Sequence, residues 1–269
     1  MSGRITKAVN FDLNKVEFSD NIRTNKYSGK SVYVKYDNGP FRIQMPKMSL
    51  PFGISVYKNP ETGDEKYSLE LSWAGIDGKI LETFKAFEEK ILDYAEKNSK
   101  ELFKKQKQRV VLEELLQSYL KIDKDEDGNV LDKYPPRLKA KLYSDRDDFS
   151  VAAFDAEKVN GSYPKVHLTK DNIADYLSKG SKCETILQCS GVWVVDQKFG
   201  VSWVVVQMKI HKNENKLIGY SFEDEAEDLE NSEDMTLEEL EIEEEEEEVK
   251  EEVKEEVKER KPRRKREYL

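Results

Sequence analysis

Alternation of apolar and polar positions predicts a series of strands within residues 31–211. It is sharpest between Lys182 and His211, where two β-branched and aromatic runs flank Asp196-Gln197-Lys198-Phe199-Gly200, the pattern of two antiparallel strands joined by a short turn. In the second run Val204, Val206, Met208 and Ile210 share one face, and Trp203, Val205, Gln207 and Lys209 the other. The first is expected to be core, and the second to present an indole beside an ammonium. Upstream, Val32, Val34 and Tyr36 alternate with Tyr33 and Lys35. After the turn signal Asp37-Asn38-Gly39-Pro40, Phe41, Ile43 and Met45 alternate with Arg42 and Gln44. Extended patterns return at Phe52 to Tyr57 and at Tyr67 to Trp73, whose odd positions are core, so these four runs read as a meander. Residues 1–30 carry no sustained period beyond Val9-Phe11-Leu13 and Val16-Phe18, which fit an edge strand or arm.

The period then changes. Ile80, Phe84, Phe87, Ile91 and Tyr94 recur at three- and four-residue steps, predicting an amphipathic helix from Gly78 to Lys97, and a second helix follows over Gln108 to Leu120. Strands return at Arg137 to Tyr143 and Phe149 to Phe154, with a short helix near Asp171 to Ser178. Helices that interrupt strands without alternating with them do not suit a parallel α/β sheet. The expected fold is therefore mainly β with α insertions: an OB-like antiparallel β-barrel over residues 1–221, with a helical insertion near 78–120.

Charge divides the chain at the same place. Residues 1–221 carry 36 Lys+Arg against 32 Asp+Glu, a net +4; residues 222–259 carry 3 against 22, a net −19; residues 260–269 carry 6 against 1, a net +5. Such a density of Glu and Asp resists compaction, so 222–269 reads as a disordered or partly helical tail, its Glu-Glu-Val-Lys repeats giving helical Glu-to-Lys spacing. The closing Lys261 to Arg266 run suits a nuclear import signal or a counter-charge to the acidic arm. A mildly basic body tied to an acidic arm suggests a polyanion-binding surface with a tethered competitor.

Little in the sequence supports catalysis. His167 and His211 lack ligand-type spacing to a second His or Cys, and no P-loop, dinucleotide or nucleophile-elbow pattern occurs. Asp123-Lys-Asp125-Glu-Asp127-Gly128 opens like an EF-hand loop, but position twelve is Tyr134 and Pro135-Pro136 blocks the exit helix, which favours a plain turn. Neither an enzyme nor a cofactor is expected. Cys183 and Cys189 lie about 20 Å apart on one strand at about 3.3 Å per residue and cannot pair. With no apolar leader or membrane-length run, an intracellular protein without a membrane partner is expected.

Basic and aromatic side chains instead recur together on outward strand faces. Arg137, Lys139, Lys141 and Tyr143 alternate with Leu138, Ala140 and Leu142, while Tyr33, Lys35, Arg42 and Lys47 do the same upstream. Rings stack bases and cations hold phosphates, so a face with both can track an unpaired strand without reading its sequence. The residues expected to meet phosphates are Lys35, Arg42, Lys47, Arg137, Lys139, Lys141, Lys198 and Lys209; those expected to stack bases are Tyr33, Tyr57, Tyr143 and Trp203. Trp73 and Trp193 also suit core positions. Two alternatives are an RNA-binding regulator on the same barrel and an acidic-tailed interaction or chaperone protein.

The segments Gln44-Met45-Pro46-Lys47-Met48, Pro51-Phe52-Gly53, Gly191-Val192-Trp193 and Lys198 to Trp203 resemble the single-stranded-DNA-binding proteins of nucleocytoplasmic large DNA viruses, particularly those of algae. The likeness spans roughly residues 30 to 212 and is distantly similar to podophage single-stranded-DNA-binding proteins with an OB-type barrel and acidic tail. It implies an OB-fold, single-stranded DNA as ligand, and a role in viral DNA replication, recombination or repair. It also implies tail contacts with a viral polymerase, primase or helicase. A homo-oligomer, and a location in the host nucleus or at a cytoplasmic viral replication site, are separate expectations. One departure is that a basic run separates the acidic stretch from Tyr268-Leu269, where the phage proteins end their acidic tail with an aromatic.

Overall fold

A computed structural model describes residues 5–131 and 133–211, all within one compact unit, Met1–Glu214. The tail expected over 222–269, with its partial helix and basic run, lies outside the described residues. In chain order the principal elements are β1 (Val16–Thr24), β2 (Lys30–Tyr36), β3 (Arg42–Gln44), β4 (Met48–Ser49), β5 (Ile54–Lys58), β6 (Glu65–Ser72), α1 (Gly78–Lys97), α2 (Arg109–Leu115), β7 (Arg137–Leu142), β8 (Ala152–Asp155), α3 (Ile173–Tyr176), β9 (Lys182–Val195) and β10 (Lys198–His211). The chain is mainly β with helical insertions.

Strand pairings close a ring. β9 and β10 form a long antiparallel hairpin whose turn residues, Asp196 and Gln197, both take positive φ (47° and 69°), the twist of a two-residue hairpin turn. β10 runs parallel to β7, β7 antiparallel to β6, and β6 connects through Ser49 of β4 back to β9. β5 extends β6, and β8 lies parallel to β10. β2 and β3 pair with β9, and β1 with β2, so the unassigned N-terminal region supplies a nine-residue strand.

The expected four-strand meander is not formed. Of the four runs expected to form it, only β5 and β6 are hairpin neighbours, whereas β2 and β3 dock on β9, which runs for 14 residues and offers inward side chains such as Cys183, Leu187 and Val192 for them to pack beside. Alternation fixes which face of a strand is buried but does not name its partner. The inward sets themselves are those expected: Val32, Val34, Tyr36, Phe41, Ile43, Met45, Tyr67, Leu69, Leu71 and Trp73 are all buried.

α1 has the bounds its period predicts and buries Ile80, Phe84, Phe87 and Ile91 in the same core. Its first turn is capped by Asp77, whose side chain accepts from the Lys79 N–H at 2.9 Å. The second helix is shorter than expected, ending at Leu115. Leu116 turns extended and the Gln117 N–H donates to the Phe199 carbonyl at 2.7 Å, which draws the chain toward the start of β10. Tyr119 then enters the core, its hydroxyl donating to the Phe84 carbonyl at 2.7 Å.

Trp203 corrects a larger expectation. It is fully buried, with the rings of Phe41, Phe84, Phe87 and Tyr119 centred 5.1, 5.7, 6.0 and 6.0 Å from its own. A ring of this size contributes roughly 4–6 kcal/mol by burial, so it anchors the core and is not free to stack a base. The cause is one inserted residue. Ile186 pairs with Gln207 but Leu187 pairs with Val205, leaving Val206 as a bulge. Trp203 and Val205 point inward before it, and Met208 and Ile210 point inward after it. Carrying a strict period of two back from Ile210 puts Trp203 on the wrong face.

Candidate nucleic-acid interface

Six strands each place one residue in a continuous row on the outer face. Arg42 of β3 lies opposite Gln188 of β9, Gln188 opposite Val204 of β10, Val204 opposite Lys141 of β7, Lys141 opposite Ser68 of β6, and Ser68 opposite Ser55 of β5. Residues in register share a face. Their chain neighbours Phe41, Leu187, Trp203, Ala140 and Leu69 fill the opposite side, in the core. Side chains tie the row together: Arg42 Nε donates to Gln188 Oε1 at 2.8 Å, and Lys141 Nζ donates to Ser202 Oγ at 2.8 Å.

Positive charge gathers at the β6–β7 end. Lys141 is held below the ordinary lysine range, first by desolvation against the sheet and then by repulsion from Lys66 and Lys139. Among the described residues none of these three forms an ion pair with a carboxylate. Glu70 lies opposite Lys139, but its Oε2 accepts from Arg137 Nε at 2.8 Å. Tyr57 stands in register with Lys66, and Tyr143 follows β7 directly; they are 59% and 54% exposed. Lys141, repelled by the ammonium groups of Lys66 and Lys139 on a face that also carries two open phenol rings, marks a place where an anion relieves repulsion and a flat group finds a stacking surface.

Of the residues expected at the interface, the structure brings together Arg42, Tyr57, Lys139, Lys141 and Tyr143. Arg137 departs from the expectation of a free cation. Its two terminal nitrogens donate to the Asp123 carboxylate at 2.7 and 2.8 Å and its side chain is only 11% exposed, so two carboxylates already neutralise it. Lys209 lies on the outer face but donates to Glu184 at 3.1 Å. Tyr33 and Lys35 sit on the β1–β2 ribbon, with Lys35 opposite Glu17; Lys47 is exposed between β3 and β4, and Lys198 beside the β9–β10 turn. No register pairing joins these four to the row. Trp73 is buried and Trp193 half-buried.

Lys66, Ser68, Gln188 and Ser202 escaped the sequence reading. For Lys66 and Ser68 the signal was present, since they are the outward positions of the run whose inward set is Tyr67, Leu69, Leu71 and Trp73. The acidic loop carries no ion-binding geometry: Asp123 is taken by Arg137, and Asp125 accepts from the Asn129 backbone at 2.7 Å across a turn closed by Lys124 and Val130. Among the described residues no group of three His, Cys, Asp or Glu is placed to hold a metal, and no helix is long and apolar enough to cross a membrane. Cys183 and Cys189 are buried free thiols pushed up to about 12 by desolvation, which leaves them unreactive as nucleophiles.

Residues 71–224 match a family described as a family of unknown function, DUF5871. The chain belongs to DUF5871. The matched stretch takes in β7, β9 and β10, and so Gln188, Val204 and Lys141 of the row, while Arg42, Ser55 and Ser68 lie before it. No curated protein matches the sequence. Among solved structures, this DUF5871 chain is similar to the single-stranded DNA-binding protein from bacteriophage Enc34 in complex with ssDNA, at 16% identity and a TM-score of 0.40, covering 74% of this chain and 100% of that one. It is also similar to gp2.5, a single-stranded DNA-binding protein encoded by bacteriophage T7, at 10% identity and a TM-score of 0.33, covering 71% and 94%.

Proposed function

We propose that this chain binds single-stranded DNA along the outer row, holding phosphates with Lys66, Lys139, Lys141 and Arg42 and stacking bases on Tyr57 and Tyr143. One observation carries the reading: Lys141 is repelled by Lys66 and Lys139 on an open strand face that also bears two exposed tyrosines, and none of the three lysines has a carboxylate partner among the described residues. Such a face recognises charge and flat rings, not a base order, so binding is non-specific and involves no catalysis. The closed ring of strands is read as an OB-like barrel. The proposed role is in viral DNA replication, recombination or repair inside an infected cell, a reading supported by the viral resemblance. In this reading the net −19 of residues 222–259 competes for the lysines at a local concentration of around millimolar, and strand binding frees it for a replication partner.

The test is fluorescence anisotropy of labelled oligo-dT with the full chain and a Lys66→Gln/Lys139→Gln/Lys141→Gln variant across a salt series. Each single-strand phosphate contact contributes about 0.7 to the slope of log K against log salt, so the variant should lose about 2 from that slope. An unchanged slope would place the phosphates elsewhere. Equal-length RNA as competitor separates a DNA-binding protein from an RNA-binding regulator.

A further inference from the structure

Beside the cationic row the outer face opens into a groove of about 540 Å³ between β9, β10, β3 and the 156–164 loop. We propose that this groove is a subsite for one unstacked nucleobase of the bound strand, an inference that rests on the single-strand binding proposed above.

The groove lies one step along the same strands. Gln44 is two residues from Arg42 and Ile186 two from Gln188, and both stand in register with each other and with Gln207 across the Val206 bulge. A strand laid on the row therefore passes the groove mouth. The lining has the chemistry of a base. Phe154 of β8 lies in register with Lys209, whose ammonium sits 4.7 Å from the ring centroid of Tyr163, so two aromatic rings bound the space above the apolar side chain of Ile186. The carboxamides of Gln44 and Gln207 make no side-chain hydrogen bond among the described residues; each offers two donors and an acceptor to a polar ring edge. The groove does not suit a phosphate. Its cation Lys209 and the neighbouring His211 both contact Glu184, at 3.1 Å each, so an entering anion meets a carboxylate. A neutral flat ring with a hydrogen-bonding rim fits, and the row supplies it already tethered.

The test compares labelled oligo-dT with the same oligomer carrying abasic sites, using the full chain, Tyr163→Ala and Gln207→Ala. Tyr163 is on an exposed loop, so its truncation spares the core, and Tyr163→Phe keeps the ring as a control. The wild type should prefer oligo-dT over the abasic oligomer by about five-fold or more, the lower end of ring–base stacking. Each alanine variant should lose part of that preference with an unchanged salt slope, while Tyr163→Phe retains it. If the wild type binds oligo-dT with the expected slope and all variants keep the wild-type preference, the groove is not a base subsite and the proposed function stands. If the wild type binds neither oligomer, the proposed function falls and this inference with it.

Discussion

Lys141 and Ser202 meet across the seam where β7 runs parallel to β10, Lys141 Nζ donating to Ser202 Oγ at 2.8 Å. The contact spends one of three ammonium hydrogens and pins the charge to the row. Lys141→Gln should therefore lower the salt slope of oligo-dT binding by about 0.7. It should also change the pH dependence. Desolvation and two neighbouring lysines hold this group below 10.5, so the free chain releases its proton before an ordinary lysine would, and a bound phosphate draws the proton back. Affinity should fall across the alkaline range below 10.5 in the wild type and fall less in Lys141→Gln. The fold responds with the opposite sign: the unfolded chain binds more protons in that window, so stability gains there as pH rises. Anisotropy from about pH 8 to 10 at fixed salt reads the effect on binding.

Arg137 should behave as a structural residue. It ties β7 to Glu70 of β6 and to Asp123 of the preceding loop, and all three side chains are at most about a third exposed. Arg137→Gln leaves two carboxylates close together without their cation and should cost about 1–3 kcal/mol, seen as a lower urea midpoint. Oligo-dT affinity, measured where the variant is folded, should change by less than it does for Lys139→Gln. A larger affinity loss than that of Lys139→Gln would return Arg137 to the phosphate-binding set.

How much the sequence reveals depends on whether the two-residue period is kept. In β2, β3 and β6 it holds throughout, so the inward set and the outward Arg42 were legible, and Lys66 was legible by the same rule. β7 alternates as well, and Lys139, Lys141 and Tyr143 emerged directly. β10 does not, because Val206 adds one residue and reverses the assignment of Trp203. A valine in a run of valines gives no sign of a bulge. Gly191 in β9 does give one, since a glycine inside a strand pattern often marks an irregular pairing. Ion pairs such as Arg137 with Asp123 and Glu70 were hidden because they join elements whose neighbourhood is set by the ring and not by the local pattern.

At Gly191 the backbone takes φ 102°, in the irregular pairing between Cys189 and Val192. A Cβ there would stand 2.4 Å from the Val32 carbonyl oxygen of β2. That approach is backbone to backbone, so no side-chain rotation relieves it. Gly191→Ala should destabilise the fold by about 2 kcal/mol or more, combining backbone strain with a displaced β2. Thermal and urea unfolding measure the loss, and a wild-type midpoint would show that the close approach is not kept in solution.

The acidic arm makes a prediction from charge alone. Replacing Glu243 to Glu248 with Gln removes six negative charges from residues 222–259. If the arm competes for the lysines of the row, oligo-dT should bind more tightly to this variant at low salt, with the difference shrinking as salt screens both partners. The Lys66→Gln/Lys139→Gln/Lys141→Gln background should reduce the gain. An equal gain in both backgrounds would place the arm's target elsewhere.

Glu88 joins α1 to the segment that carries Tyr119 into the core. Its Oε1 accepts from Ser118 Oγ at 2.5 Å and from the Tyr119 N–H at 3.2 Å. Burial pushes its carboxyl above 4.5, and these hydrogen bonds only partly oppose that. A group whose pKa is raised on folding binds its proton more tightly in the folded chain. Stability therefore falls as pH rises from 4.5 through the folded-state value, and the cost of the buried charge is complete above it. Glu88→Gln keeps an acceptor oxygen for both donors and removes the charge, so it should be more stable than the wild type at pH 7 to 8, with the advantage shrinking toward pH 4.5. Glu88→Ala leaves the Tyr119 N–H without its acceptor, while Ser118 Oγ keeps the Leu120 carbonyl at 2.9 Å, and should instead cost about 1–3 kcal/mol. Urea unfolding of the three proteins at pH 5 and pH 8 distinguishes the cases. If Glu88→Gln is less stable than the wild type at both values, the ionised carboxylate is a net stabiliser, and the connection between α1 and Tyr119 depends on its charge.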